Sequence, residues 1–248
     1  MATERVQGIC EKDKRARVYN EGRGNAMKVL IFGATGMVGR GVLLECLRDQ
    51  EVDVAVTIGR TPTGVADAKV QEIVHADLAG FAGIENRLAG FDACFYCLGV
   101  SSAGMTEADY TRLTYQFTVA AGEVLARLNP GLTFIYVSGS GTDSTERGRT
   151  MWARVKGRTE NALLKLPLKA YMFRPGLIEP LDGIKSKTRM YRMLYSLFKP
   201  VLPILRRMMP NQVLSTREIG QAMLSVAKHG YAKQILETGD IRAALAGR

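Results

Sequence analysis

From residue 27 onward, short apolar runs alternate with longer stretches in which apolar residues recur every three or four positions. The runs at 29–32, 54–58, 70–74, 94–98, 132–137 and 169–173 are bounded by Gly, Pro, Ser or Asp. That pattern predicts six buried strands. A helix runs from the glycines after residue 32 toward Leu47. Residues 106–128 place Leu113, Phe117, Ala120, Ala121, Val124 and Leu128 at helical spacing, and 150–166 read as a third helix. Residues 216–228 form another, with Ser215 or Thr216 as N-cap and Glu218 in its first turn. A last short strand and helix fit 234–245. Strands that alternate with helices need right-handed crossovers and build a parallel sheet. The expected fold class is α/β, a doubly wound parallel sheet with a small C-terminal cap, in one domain over 27–248.

The residues at the strand ends carry the chemistry. Strand 29–32 runs into Gly33-Ala34-Thr35-Gly36-Met37-Val38-Gly39. Gly33 permits a sharp turn, Gly36 leaves room for a phosphate against the backbone, and Gly39 lets the helix approach the strand. Unpaired N–H groups at the helix start and the positive end of its dipole then face the anion. This predicts a dinucleotide site; the alternative is a tight turn with no ligand. In such sites a carboxylate about 20 positions further on takes the ribose hydroxyls of NAD. Counting from Gly39 reaches Gly59-Arg60, so a planar cation stands there, suited to a 2′-phosphate. NADP(H) is therefore favoured over NAD(H). Asp77 either accepts from the adenine amino group or caps the turn after it, and Gly99 either admits the cofactor ribose or is a turn glycine. Gly33, Gly59, Asp77, Gly99, Ser138 and Pro175 all fall at or just past strand ends, where open α/β sheets bind ligands.

Composition narrows the function classes. The 248 residues are 46% hydrophobic and 23% charged, as in ordinary soluble globules. No apolar run approaches the roughly 18 residues that span a bilayer, and no apolar leader opens the chain, so the expected location is cytoplasmic. Residues 1–26 mix Lys12, Lys14, Arg15 and Arg17 with Glu11 and Asp13 and are expected to be a disordered tail; a start at Met27 would account for it equally well. No nucleic-acid partner is expected. Cys94 and Cys97 sit three apart on a strand and so point to opposite faces, as core filler rather than a redox or metal pair. The two histidines have no second ligand at metal spacing, so no metal is expected. Residues 181–210 hold seven basic residues against Asp182 alone, a net +6 of the chain's +10. With Met190, Met193, Leu194, Leu197 and Phe198 they read as a cap over a small-molecule substrate, or as a basic amphipathic segment resting on an anionic membrane. Nothing in the sequence sets the substrate or the oligomeric state.

Taken together, the glycine turn, Asp77-Leu78, Cys97-Leu98-Gly99, Val137-Ser138 and Arg174-Pro175-Gly176 resemble the atypical and extended short-chain dehydrogenase/reductases. The nearest-looking branch is the Tat-interacting-protein-like group, described as NAD-dependent epimerase/dehydratase-like. The resemblance covers 27 to about 180 and implies a Rossmann domain, bound NADP(H) and a Ser-Tyr-xxx-Lys catalytic set. Ser138 matches the serine and Lys156 the lysine, which also holds the nicotinamide ribose. Four residues before Lys156, on the same helical face, Trp152 stands where tyrosine is expected. An indole N–H cannot exchange a proton near neutral pH. Three accounts stay open: another acid such as Tyr115 or a Lys156-held water, a different reaction, or an NADP(H)-binding sensor or interaction module without turnover. The cofactor set comprises Gly33, Thr35, Gly36, Met37, Val38, Gly39, Arg60, Asp77, Leu78, Leu98, Gly99, Lys156 and Pro175.

Overall fold

The structure is a computed structural model and describes residues 26–184 and 212–246. Residues 1–25 of the tail, and residues 185–210 of the basic segment with the cap assigned to it, lie outside the described residues. Seven strands form one parallel sheet in the order β3-β2-β1-β4-β5-β6-β9. They are β1 (Met27–Phe32), β2 (Val52–Gly59), β3 (Val70–Val74), β4 (Ala93–Tyr96), β5 (Thr133–Val137), β6 (Lys169–Arg174) and β9 (Ile235–Glu237). The chain reverses direction of travel between β1 and β4. The carboxyl ends of these two strands therefore flank the crevice where such sheets take ligands.

Both faces of the sheet are covered, which is why its strands read as continuous apolar runs. Val29 and Ile31 face helices α1 (Met37–Arg48), α5 (Thr216–His229) and α6 (Thr238–Ala243), packing with Val42, Leu43, Ile219, Met223 and Ile241. Leu30 and Phe32 face α3 (Phe117–Leu128) and α4 (Met151–Leu163), with Tyr96, Leu125, Tyr136 and Leu163. Cys94 belongs to the second layer and Cys97 to the first, so the two thiols diverge as their spacing predicts. Burial pushes both thiols well above their usual range. Ser215 caps α5, and Glu218 returns the bond in a reciprocal capping box.

Two features depart from the sequence reading. The helix expected over 106–128 is α2 (Glu107–Thr111), a π-helical segment Arg112–Gln116, and then α3. Within it Thr118 Oγ1 bonds back to the Thr114 carbonyl at 2.5 Å. A three-residue parallel pair, β7 (Leu177–Glu179) and β8 (Val213–Ser215), also closes the chain after Gly176. Segments that short carry no periodicity to read.

Candidate functional site

Gly33 turns the chain off β1 with φ +78°, and a Cβ there would lie 2.7 Å from the Leu98 nitrogen. Only glycine satisfies both conditions. At Gly39 a Cβ would lie 2.3 Å from the Gly33 carbonyl oxygen, so α1 is seated directly on the turn. Gly36 is the N-cap, with its N–H donated to the Gly33 carbonyl at 2.8 Å, and no side chain caps the helix. The first-turn N–H groups thus remain open to an anion.

Beside this turn lies a cleft of about 400 Å³, lined by Gly33, Thr35, Gly59, Arg60, Leu78 and Leu98 among others. Arg60 is exposed at its edge. The sequence reading missed part of the wall: Thr61, Pro62 and Thr63 after β2, with Glu72 and Val74 on β3. Glu72 Oε1 accepts from the Thr63 N–H at 2.7 Å and from its hydroxyl, and Arg40 donates to the Thr63 carbonyl at 3.1 Å, pinning that loop. Such pairs join residues with no common spacing and leave no sequence signal. Asp77 caps the turn after it, accepting from the Ala79 N–H at 3.0 Å, and does not line the cleft. Gly99 also stands outside the lining. Pro175 is buried, and its carbonyl accepts from Ser140 N–H at 2.9 Å. Met37 and Val38 form the open first turn of α1.

A second constellation gathers at the end of β5. Lys156, half-buried on α4, donates through Nζ to the Ser138 carbonyl, and a Cβ on Gly139 would lie 4.0 Å from that nitrogen. Burial pulls the ammonium down to about 8, and the charge of Glu160 opposes the shift. The Ser138 hydroxyl is buried and turned inward, donating to Glu160 Oε1 and at 3.2 Å to the Phe173 carbonyl. Glu160 has no exposed surface. It is gripped by Arg174, whose Nε lies 3.0 and 3.2 Å from its two oxygens and whose Nη2 also bonds it. Arg174 further reaches Ser144 Oγ at 2.6 Å and Glu237 at 3.2 Å. One buried ion pair thus joins β5, α4, β6, the 139–150 loop and the start of α6.

Trp152 is half-buried one turn before Lys156, with its Cη2 3.5 Å from where a Cβ on Gly141 would lie. Tyr115 is not brought to Lys156 by any described contact. Its ring lies over the Arg158 guanidinium at 4.5 Å, and Arg158 points roughly 200° around α4 from Lys156. Glu160 was missed by the sequence reading, although its four-residue offset from Lys156 is the helical neighbour spacing that could have found it. Among the described residues, no group of three metal-ligating side chains converges, and no helix is long and apolar enough to cross a membrane.

No protein-family model matches the chain. Solved structures share its fold. A short chain dehydrogenase family protein from Francisella tularensis superposes with a TM-score of 0.58 at 14% identity, covering 82% of this chain and 92% of that one. The enzyme WbmG of Bordetella bronchiseptica, solved in complex with NAD, gives 0.61 at 14%, covering 88% and 74%. The ADP-L-glycero-D-manno-heptose-6-epimerase of Helicobacter pylori gives 0.62 at 16%, covering 82% and 73%. At these identities the likeness establishes the Rossmann-like α/β fold.

Proposed function

We propose that this chain binds NADP(H) across the β1–β4 crevice and acts as an NAD(P)-dependent oxidoreductase or epimerase-like enzyme of the short-chain dehydrogenase/reductase type. The observation that carries the reading is the uncapped start of α1 on the Gly33 turn, opening onto a cleft edged by Arg60. Backbone N–H groups of the first turn, Met37 to Gly39, would hold the pyrophosphate. Arg60 would take a 2′-phosphate through its fork of donors. Leu78 and Leu98 would flank the adenosine, and Lys156 would hold the nicotinamide ribose. When bound, the dihydronicotinamide supplies a hydride. The NAD complex of WbmG and the epimerase activity named for the Helicobacter protein support the cofactor class and the reaction class. The resemblance to the Tat-interacting-protein-like group belongs to the same reading.

Titration with NADPH and NADH, followed by nicotinamide fluorescence, tests it. NADPH is expected to bind tighter by about 10- to 100-fold, the range of a charge-assisted pair. Arg60→Ala should bring the two affinities together. Equal affinities in the unaltered protein would remove the NADP preference, and no binding of either would remove the reading.

A second reading is an NADP(H)-binding sensor or interaction module without turnover. It is favoured by one observation, the Ser138 hydroxyl turned onto Glu160, and by the resemblance, which puts Trp152 where tyrosine is expected. NADPH binding with no oxidation across a panel of carbonyls, alcohols and nucleotide-sugars would select it.

A further inference from the structure

Reduction of a carbonyl requires a proton at oxygen as well as a hydride at carbon, and the indole at position 152 cannot provide one. The neighbouring titratable groups are committed elsewhere. On β5, Tyr136 is buried and its phenol is pushed well above the usual range by burial. Tyr96 on β4 is buried and raised in the same way. On α2, Tyr110 is buried too. Tyr115 on the π segment has its ring against the Arg158 guanidinium. On the same helix as Lys156, Glu160 spends its carboxylate on Ser138 and Arg174. Arg174 on β6 is held charged by that carboxylate. In the 139–150 loop, Asp143 accepts from Thr145 and from the Gly148 N–H, which keep its carboxyl below the usual range.

Lys156 differs from all of these. Its Nζ lies at the carboxyl end of β5, against the Ser138 carbonyl and beside Gly139. The glycine beside it carries no side chain to cover the nitrogen. A carbonyl oxygen, unlike the side chains around it, is an acceptor only. It therefore occupies one N–H of the ammonium and leaves two. Burial brings the ammonium into the range where proton transfer at neutral pH is efficient.

We infer that Lys156 is itself the proton donor and acceptor of this site, taking over the role vacated at Trp152, with Glu160 as the positioning residue that keeps its amine charged at rest. The inference rests on the cofactor reading above. In the reductive direction a hydride joins the substrate carbon and the C–O π bond opens toward oxygen. The Lys156 N–H bond breaks as the new O–H bond forms, and water returns a proton to the resulting amine. In the oxidative direction the neutral amine accepts the hydroxyl proton.

The test begins with the cofactor-free full chain. Trace acetylation across a pH series, read lysine by lysine by mass spectrometry, gives each amine its midpoint. Lys156 is expected to titrate near 8, well below the exposed lysines. Glu160→Gln should move that midpoint lower, because the charge that opposes burial is gone. If Glu160→Gln fails to fold, Lys156→Arg serves in its place: the guanidinium keeps the charge but does not exchange protons in this range. At saturating NADPH, Lys156→Arg should lose turnover by about 10²- to 10⁴-fold, the usual worth of a general acid. A Lys156 midpoint at or above 10, or full turnover in Lys156→Arg, overturns the inference. Failure of NADPH binding beside a midpoint near 8 would instead overturn the cofactor reading, so the two failures are distinguishable.

Discussion

Glu160 has no exposed surface, and its neighbours explain how a carboxylate survives there. Ser138 donates from one strand, Arg174 grips both oxygens from the next, and Arg174 is itself steadied by Glu237 and Ser144. Removing one partner of such a pair leaves a buried charge uncompensated. Glu160→Gln is therefore expected to cost about 3–5 kcal/mol, read as a lowered urea midpoint with an unchanged slope. An exposed pair such as Arg127–Glu85, with side chains 58% and 36% exposed, should cost under about 1 kcal/mol in the same experiment. The sequence marked Lys156, Trp152 and Ser138 by position, but it could not show that the serine hydroxyl turns inward. That direction is set by Glu160 and the Phe173 carbonyl, which arrive from other elements.

The helices show how local signals fix element boundaries and where packing overrides them. Ser215 and Glu218 announce the start of α5, and the structure closes both bonds: Glu218 N–H to the Ser215 hydroxyl at 3.1 Å, and Ser215 N–H to the Glu218 carboxylate at 2.7 Å. Ser215→Ala should lower stability by about 1 kcal/mol in urea unfolding, the usual worth of an N-cap. The interruption of 106–128 was not legible in the same way. Apolar spacing is preserved through Leu113 and Phe117, so periodicity alone reads one straight helix. What separates α2 from α3 is the π turn at Arg112–Gln116, where the buried Thr118 hydroxyl takes the Thr114 carbonyl. Thr114 Oγ1 finds no partner there among the described residues. A π turn of this kind arises from how a helix meets its neighbours, and α2 and the π segment both rest on α4.

Across the whole molecule, binding and stability are linked. A ligand held only by the native state stabilises by about 2.7 kcal/mol at a hundred times its Kd. For a chain of this size that raises the melting midpoint by roughly 5–10 °C. Thermal unfolding with saturating NADPH should show that rise. Gly36→Asp should abolish it, read against that variant's own cofactor-free midpoint. Gly36 has an ordinary φ of −83° and aspartate is a favoured N-cap, while its Cβ would press to 3.2 Å against the Gly33 carbonyl oxygen. The new carboxylate would cap α1 and repel the pyrophosphate from the same position. The sequence by itself determined the parallel sheet, the faces of its strands and the place of the glycine turn, because these follow from local periodicity and from backbone conformations that only glycine tolerates. Tertiary structure alone decided what meets at the strand ends: that Glu72 pins the loop after β2, that Asp77 serves its own turn, and that Ser138, Glu160 and Arg174 form one buried unit beneath Lys156. Those contacts join residues from separate strands and helices, and only the closing of the sheet brings them within bonding distance.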